Sequence, residues 1–100
     1  MIEDKIEETK EEIYRIKNKL IEEEKTEVFK KIRPLLMNIN KSLRFSEDFK
    51  RENREMFRHV VSVEAELRIE EIDDIIDKDD RCSNELSRLR KKLVELKDES

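Results

Sequence analysis

Ile2, Ile6, Thr9, Ile13, Ile16 and Leu20 are spaced by 4, 3, 4, 3 and 4 residues. That rhythm keeps one side of a 3.6-residue helix apolar, and in a strand it would scatter the same residues over both faces. Later segments repeat it. Val28, Ile32, Leu35 (or Leu36), Ile39 and Leu43 form one line, and Phe49, Asn53, Met56, Val60, Val63 and Leu67 another. A last line runs through Ile75, Asp79, Cys82, Leu86, Leu89, Leu93 and Leu96. The residues between these lines are mostly charged, and half of the 100 residues are Asp, Glu, Lys or Arg. Such a charge content fits either disorder or long amphipathic helices. Eleven Ile, nine Leu, five Val and four Phe, set at regular intervals, decide for helices. Glu, Lys and Arg are good helix formers because their straight side chains lose little rotamer freedom.

The chain has no Gly, so it has no glycine loop for phosphate and no dinucleotide fingerprint. One Cys excludes a disulfide framework and a multi-Cys zinc site. The longest apolar run is Leu35 to Met37, far too short to span a membrane. The opening Met-Ile-Glu-Asp lacks the layout of a secretion signal, which leads to the expectation of a cytoplasmic or nuclear chain.

Helix breakers are few. Pro34 either starts a helix or kinks one. Asn38, Asn40 and Ser42 weaken the helix before Leu43, and Ser46 followed by Glu47 and Asp48 reads as an N-cap with an acidic first turn. The simplest expectation is therefore all-α: one domain, residues 1–100, made of two long antiparallel helices, about 2–43 and about 47–97. Such a coiled-coil hairpin would be about 60 and 75 Å along its two arms. Shorter helices, split near Glu24 to Glu27, Pro34 and Asp77 to Ser83, are the structured alternative. The heptad slips between Leu20 and Val28 and again between Leu67 and Ile75. Matching slips would keep two long helices in contact. Thr9, Asn53 and Asp79 are polar residues at seam positions, where they would fix register or simply sit at helix ends.

Around the hairpin turn the apolar surface is too wide for one partner helix. Met56, Val60, Val63 and Leu67 form one stripe, and Phe57, Val61, Ala65, Ile69, Ile72 and Ile76 an adjacent one. A two-helix hairpin buries one stripe per helix, so the second implies another chain. The expectation is a homodimer closing a four-helix bundle. Its anchors would be Phe29, Ile32, Leu36, Phe57, Val61, Ile69 and Ile72, with Leu89, Leu93 and Leu96 on an overhang of the second helix.

Charge is segregated. Residues 1–29 hold ten acids and six bases, residues 30–58 four acids and nine bases, and residues 59–100 thirteen acids and eight bases. The hairpin tip is thus expected to be basic, through Lys30, Lys31, Arg33, Lys41, Arg44, Lys50, Arg51, Arg54 and Arg58. It would meet an acidic partner: acidic arms of another copy, an acidic protein surface or, less favoured, nucleic acid.

Signals for chemistry are weak. His59, the only His, has Glu55 one turn before it and reads as a surface residue rather than a ligand. All-α nucleotide pyrophosphohydrolases hold Mg²⁺ with Glu-x-x-type carboxylate pairs. Glu7, Glu8 and Glu11, with Glu70, Glu71, Asp73 and Asp74, supply comparable spacings here. Nineteen Glu in 100 residues produce such spacings by chance. Cys82 falls on a seam and reads as a small buried apolar group. Taken together, the sequence predicts a non-enzymatic, cofactor-free assembly or adaptor module that binds protein.

Overall fold

A computed structural model describes residues 1–100 in full, and the chain is all-helical. Helix α1 spans Ile2–Glu22, α2 Thr26–Glu47, α3 Arg54–Lys78 and α4 Ser83–Glu99, with a short 3₁₀ turn at Asp80–Cys82 before α4. The expected pair of long helices is corrected: each is broken near its middle. The molecule measures 42 × 24 × 18 Å. That length holds one helix of about 25 residues, at 1.5 Å per residue, and not a 75 Å arm. Of the alternative splits, those near Glu24 and Asp79 are real. Pro34 is not a break, because it sits exposed inside a continuous α2.

The first break has a defined geometry. Glu24 is left-handed, with φ 56. Its N–H donates to the Ile21 carbonyl at 3.1 Å, and the Lys25 N–H to the Leu20 carbonyl at 2.9 Å. These are the two bonds of a Schellman cap. Glycine normally fills the left-handed position, and a Cβ there costs about 1–2 kcal/mol. Three carboxylates in a row, Glu22 to Glu24, also oppose the negative end of the helix dipole.

The α2–α3 connection falls later than the sequence implies. Ser46 is not a cap. It is buried within α2, its hydroxyl donating to the Ser42 carbonyl at 2.8 Å. The cap of α3 is Asn53, whose side-chain oxygen accepts from the Met56 N–H at 3.0 Å. Asp79 ends α3 in extended conformation and accepts from the Arg81 N–H at 3.1 Å. Asn53 and Asp79 are thus end caps, and Thr9 is a fully buried residue whose hydroxyl bonds back to the Lys5 carbonyl.

Around the bundle each helix touches two neighbours. Helix α3 packs on α4 and α2, and α1 packs on α4 and α2, with α1 and α3 diagonal. One continuous core runs inside, from Ile2 through Leu20 on α1, Ile32 to Leu43 on α2, Phe57 to Ile72 on α3 and Leu86 to Leu96 on α4. Polar ties between neighbours fix the heights. Ser42 donates to Glu64 at 2.8 Å and Asn38 to Glu71 at 3.0 Å, joining α2 to α3. Arg90 grips Asp73 and Lys97 pairs with Glu66, joining α3 to α4. Lys92 pairs with Glu8 and Lys5 with Glu95, joining α1 to α4.

The expected oligomer anchors must be reassigned. Ile32, Leu36, Phe57, Val61, Ile69, Ile72, Leu89, Leu93 and Leu96 are all buried in the chain's own core, and Phe29 is half-buried against it. The overhang does not exist, because α4 folds back along α1 and α3. The chain supplies by itself the four helices that the sequence reading divided between two copies.

Candidate interaction surface

Helix α3 carries apolar residues on two sides. Phe57, Val61, Ala65, Ile69 and Ile72 step by 4, 4, 4 and 3 and face inward. Met56, Val60, Val63 and Leu67 step by 4, 3 and 4 and lie on the outer flank. Met56 is 43% exposed, Val63 44% and Leu67 43%, while Val60 is half-buried. Large side chains at these values keep much of their area in water. Grouped in one line, they form a patch rather than the scattered single residues normal on a surface.

The patch continues onto α2. The Ser42–Glu64 bond sets the antiparallel register, which places Phe45 level with the turn from Val60 to Val63. Phe45 is 50% exposed, and its ring meets Phe49 edge-on with 5.3 Å between centroids. The contact holds Phe45 in place without covering it. Lys41 lies one turn above, level with Leu67, and makes no ion pair.

The two ends of α3 differ in charge. Residues 49–58, the loop before α3 and its first residues, hold four bases and two acids, and residues 66–77 hold one base and six acids. At the lower end Arg54 donates two hydrogen bonds to Glu3, at 2.8 and 3.1 Å, and lies 5.1 Å from the Phe57 ring centre. The Arg54 guanidinium holds the Glu3 carboxyl down at about 2. At the upper end Arg81 wraps the Asp79 carboxylate and holds its pKa well below the usual range. Arg51, Arg58 and Glu70 stay exposed beside the stripe.

The basic residues do not form a hairpin tip. They run along α2 and into the start of α3, over about 32 Å of helix. Lys30 pairs with Glu27, Lys31 with Asp79 and Lys50 with Glu3. Arg33, Lys41, Arg44, Arg51 and Arg58 make no ion pair and stay exposed. Residues 28–46 contain no acid at all. A groove of about 430 Å³ between α1 and α2 is lined by Lys10, Ile13, Tyr14, Lys17, Asn40 and Arg44. Tyr14 is 64% exposed there. Lys10 bonds Glu47 at 2.8 Å, whereas Lys17 and Arg44 have no carboxylate partner. The sequence pattern missed this groove because Tyr14 and Lys17 stand far from residues 30–58 in the chain.

Other candidates do not assemble. Glu7 and Glu11 point outward on α1, and Glu8 is held by Lys92 and Lys5. On α3, Glu71 is held by Asn38 and Arg68, Asp73 by Arg90 and Asp74 by Lys78. The two helices are diagonal, so the carboxylate pairs of a Mg²⁺ site are not brought together, and no cluster of three His, Cys, Asp or Glu has metal-holding geometry. His59 is exposed on α3. Cys82 is buried at the edge of a cavity of about 290 Å³ with Val28, Ile32 and Ile75, and burial pushes its thiol pKa up. A raised pKa leaves little thiolate, so this sulfur packs rather than reacts. The basic run Arg88 to Lys92 lies mid-helix in α4, where Arg90 and Lys92 tie it to α3 and α1.

No helix is long and apolar enough to cross a membrane. No family model, curated protein or solved structure matches the chain.

Proposed function

We propose that the chain is a non-enzymatic protein-interaction module, a self-contained helical bundle that presents the outer face of α3 and Phe45 to a protein partner. The supporting observation is the second stripe. The core closes without Met56, Val63 and Leu67, yet they stand in line and roughly half-exposed. Fold stability does not account for keeping them apolar, since polar residues at such positions change stability by only about 0.5 kcal/mol. Binding does account for it. The lone buried thiol fits the cytoplasm or nucleus, where thiols stay reduced.

The test compares immobilised wild-type chain with its Leu67→Glu variant in extract of the source cell. The reading expects protein, this chain included, that the wild type retains and the variant releases. Equal retention by both, with equal helix content, overturns it.

A second reading, an anionic strand such as single-stranded nucleic acid, is favoured by the α1/α2 groove. There two unpaired cations flank an exposed Tyr14 ring on which a base could stack. A fluorescent oligonucleotide should bind at low salt, and binding should fall on Lys17→Glu with Arg44→Glu. No binding at low salt removes this reading.

A further inference from the structure

From the spacing and charge of α3 we infer that the protein docked on its outer face is a second copy of this chain, with the two α3 helices antiparallel about a two-fold axis between Val60 and Val63. This rests on the interaction-module reading and names the partner.

The first argument is symmetry. The stripe reads 4, 3, 4 from Met56 to Leu67, and it reads the same backwards. A two-fold axis perpendicular to α3 therefore sets Met56 against Leu67 of the second copy and Val60 against Val63. Every apolar side chain then meets another. A contact shared by two identical copies must be self-complementary in this way. The inner lines of α1 and α4 are palindromic too, but they are buried in the chain's own core, so it is exposure that leaves the outer stripe of α3 free to meet a copy.

The second argument is charge. Reversal brings the acidic upper part of one α3 beside the basic lower part of the other. Of the six acids in residues 66–77, Glu66, Glu71, Asp73 and Asp74 are held within the chain, which leaves Glu70 and Asp77, and residues 49–58 carry four bases and two acids, net +2. In this register Glu70 lies opposite Asn53, the cap of the second copy's α3, beside Arg54, with Arg51 in the loop before that cap. Arg51 makes no ion pair within its own chain. A parallel arrangement would stack acid on acid and base on base, which disfavours it.

The third argument is size. With the axis between Val60 and Val63, residues 54–69 of the two α3 helices overlap, about 23 Å at 1.5 Å per residue. Two helices of about 10 Å width give this overlap on the order of 500 Å² per partner, the size of a weak self-contact. Phe45, level with the axis, widens the apolar centre on both sides.

The experiment uses the full chain. Sedimentation equilibrium at concentrations on the order of 100 µM, where modest interfaces are populated, should give twice the 12.2 kDa chain mass. Val63→Glu should return it to 12.2 kDa with its helix content kept. A wild-type monomer throughout, or a Val63→Glu dimer, overturns the proposal. Orientation is read by cysteine pairing. Met56→Cys and Leu67→Cys are made separately and oxidised alone and mixed. Positions 56 of antiparallel copies lie about 16 Å apart along the axis, beyond disulfide reach. Each variant alone should therefore stay uncrosslinked, as should the wild type with its buried Cys82, while the mixture forms a disulfide dimer. Crosslinking of either variant alone to the same extent as the mixture overturns the antiparallel arrangement. The failures are separable. A monomeric wild type removes self-docking only, whereas the interaction reading falls on equal retention of wild type and Leu67→Glu.

Discussion

Helices α3 and α4 lie side by side and use their apolar residues differently. Helix α4 puts Leu86, Leu89, Leu93 and Leu96 on one buried line and is otherwise polar, apart from a half-buried Val94. Helix α3 buries Phe57, Val61, Ala65, Ile69 and Ile72, then shows a second line to water. One stripe per helix is enough to close this core. The difference separates what folds the chain from what stays in water, and it can be attacked from either side.

The largest effects should come from the inner lines. Phe57→Ala is expected to cost about 3–5 kcal/mol and Leu89→Ala about 2–5 kcal/mol, read as a lower denaturation midpoint at unchanged slope. Both residues are fully buried. Small domains hold only about 5–15 kcal/mol in all, so either change should leave a marginal fold. A cost below 1 kcal/mol at both would mean that the inner and outer lines have been confused.

Helix ends come next. Asn53→Ala removes the acceptor for the Met56 N–H and should cost about 1 kcal/mol. In the other direction, Glu24→Gly relieves the left-handed Cβ and should stabilise by up to about 1 kcal/mol. Thermal unfolding of the two variants should move in opposite directions.

The smallest effect belongs to the exposed Glu3–Arg54 pair. The folded pKa of Glu3 is held below its ordinary 4.5, at about 2, chiefly by the Arg54 hydrogen bonds. A depressed carboxyl pKa gives stability that is present above pH 4.5 and fades as pH falls toward 2. Arg54→Gln should flatten that part of the Tm–pH curve by lowering the Tm slightly above pH 4.5 while leaving it unchanged near pH 2, a small effect because the pair is exposed. An unchanged acid slope would remove Glu3 as its source.

Much of this was legible in the residues themselves. The line from Ile2 to Leu20 and the line from Leu86 to Leu96 are both helical seams in the structure. The heptad slip after Leu20 marks a real turn. The slip after Leu67 does not, because α3 runs straight through it. On α3 both stripes have helical spacing and similar apolar content, so spacing could not tell inside from outside. What decides is where the neighbouring helices end. Those ends hang on Glu24 in a place usually held by Gly, and on Asn53 rather than Ser46 as the cap. Taken as a slip inside one long helix, the turn after Leu20 makes one chain look like half a bundle and makes Phe57, Val61, Ile69 and Ile72 look like anchors for a second copy. Charge was legible in amount but not in place, since Tyr14 and Lys17 join Arg44 only when α1 folds against α2.

The central claim is that α3 has a folding face and a docking face. Val61 and Val63 are two residues apart on opposite faces, one 1% and the other 44% exposed. Parallel measurement of unfolding and mass for Val61→Glu and Val63→Glu tests that claim most directly. Val61→Glu should abolish cooperative unfolding, while Val63→Glu should keep the wild-type transition of the isolated chain and lose only self-association. Equal damage from both, or a stable Val61→Glu beside an unfolded Val63→Glu, would contradict it.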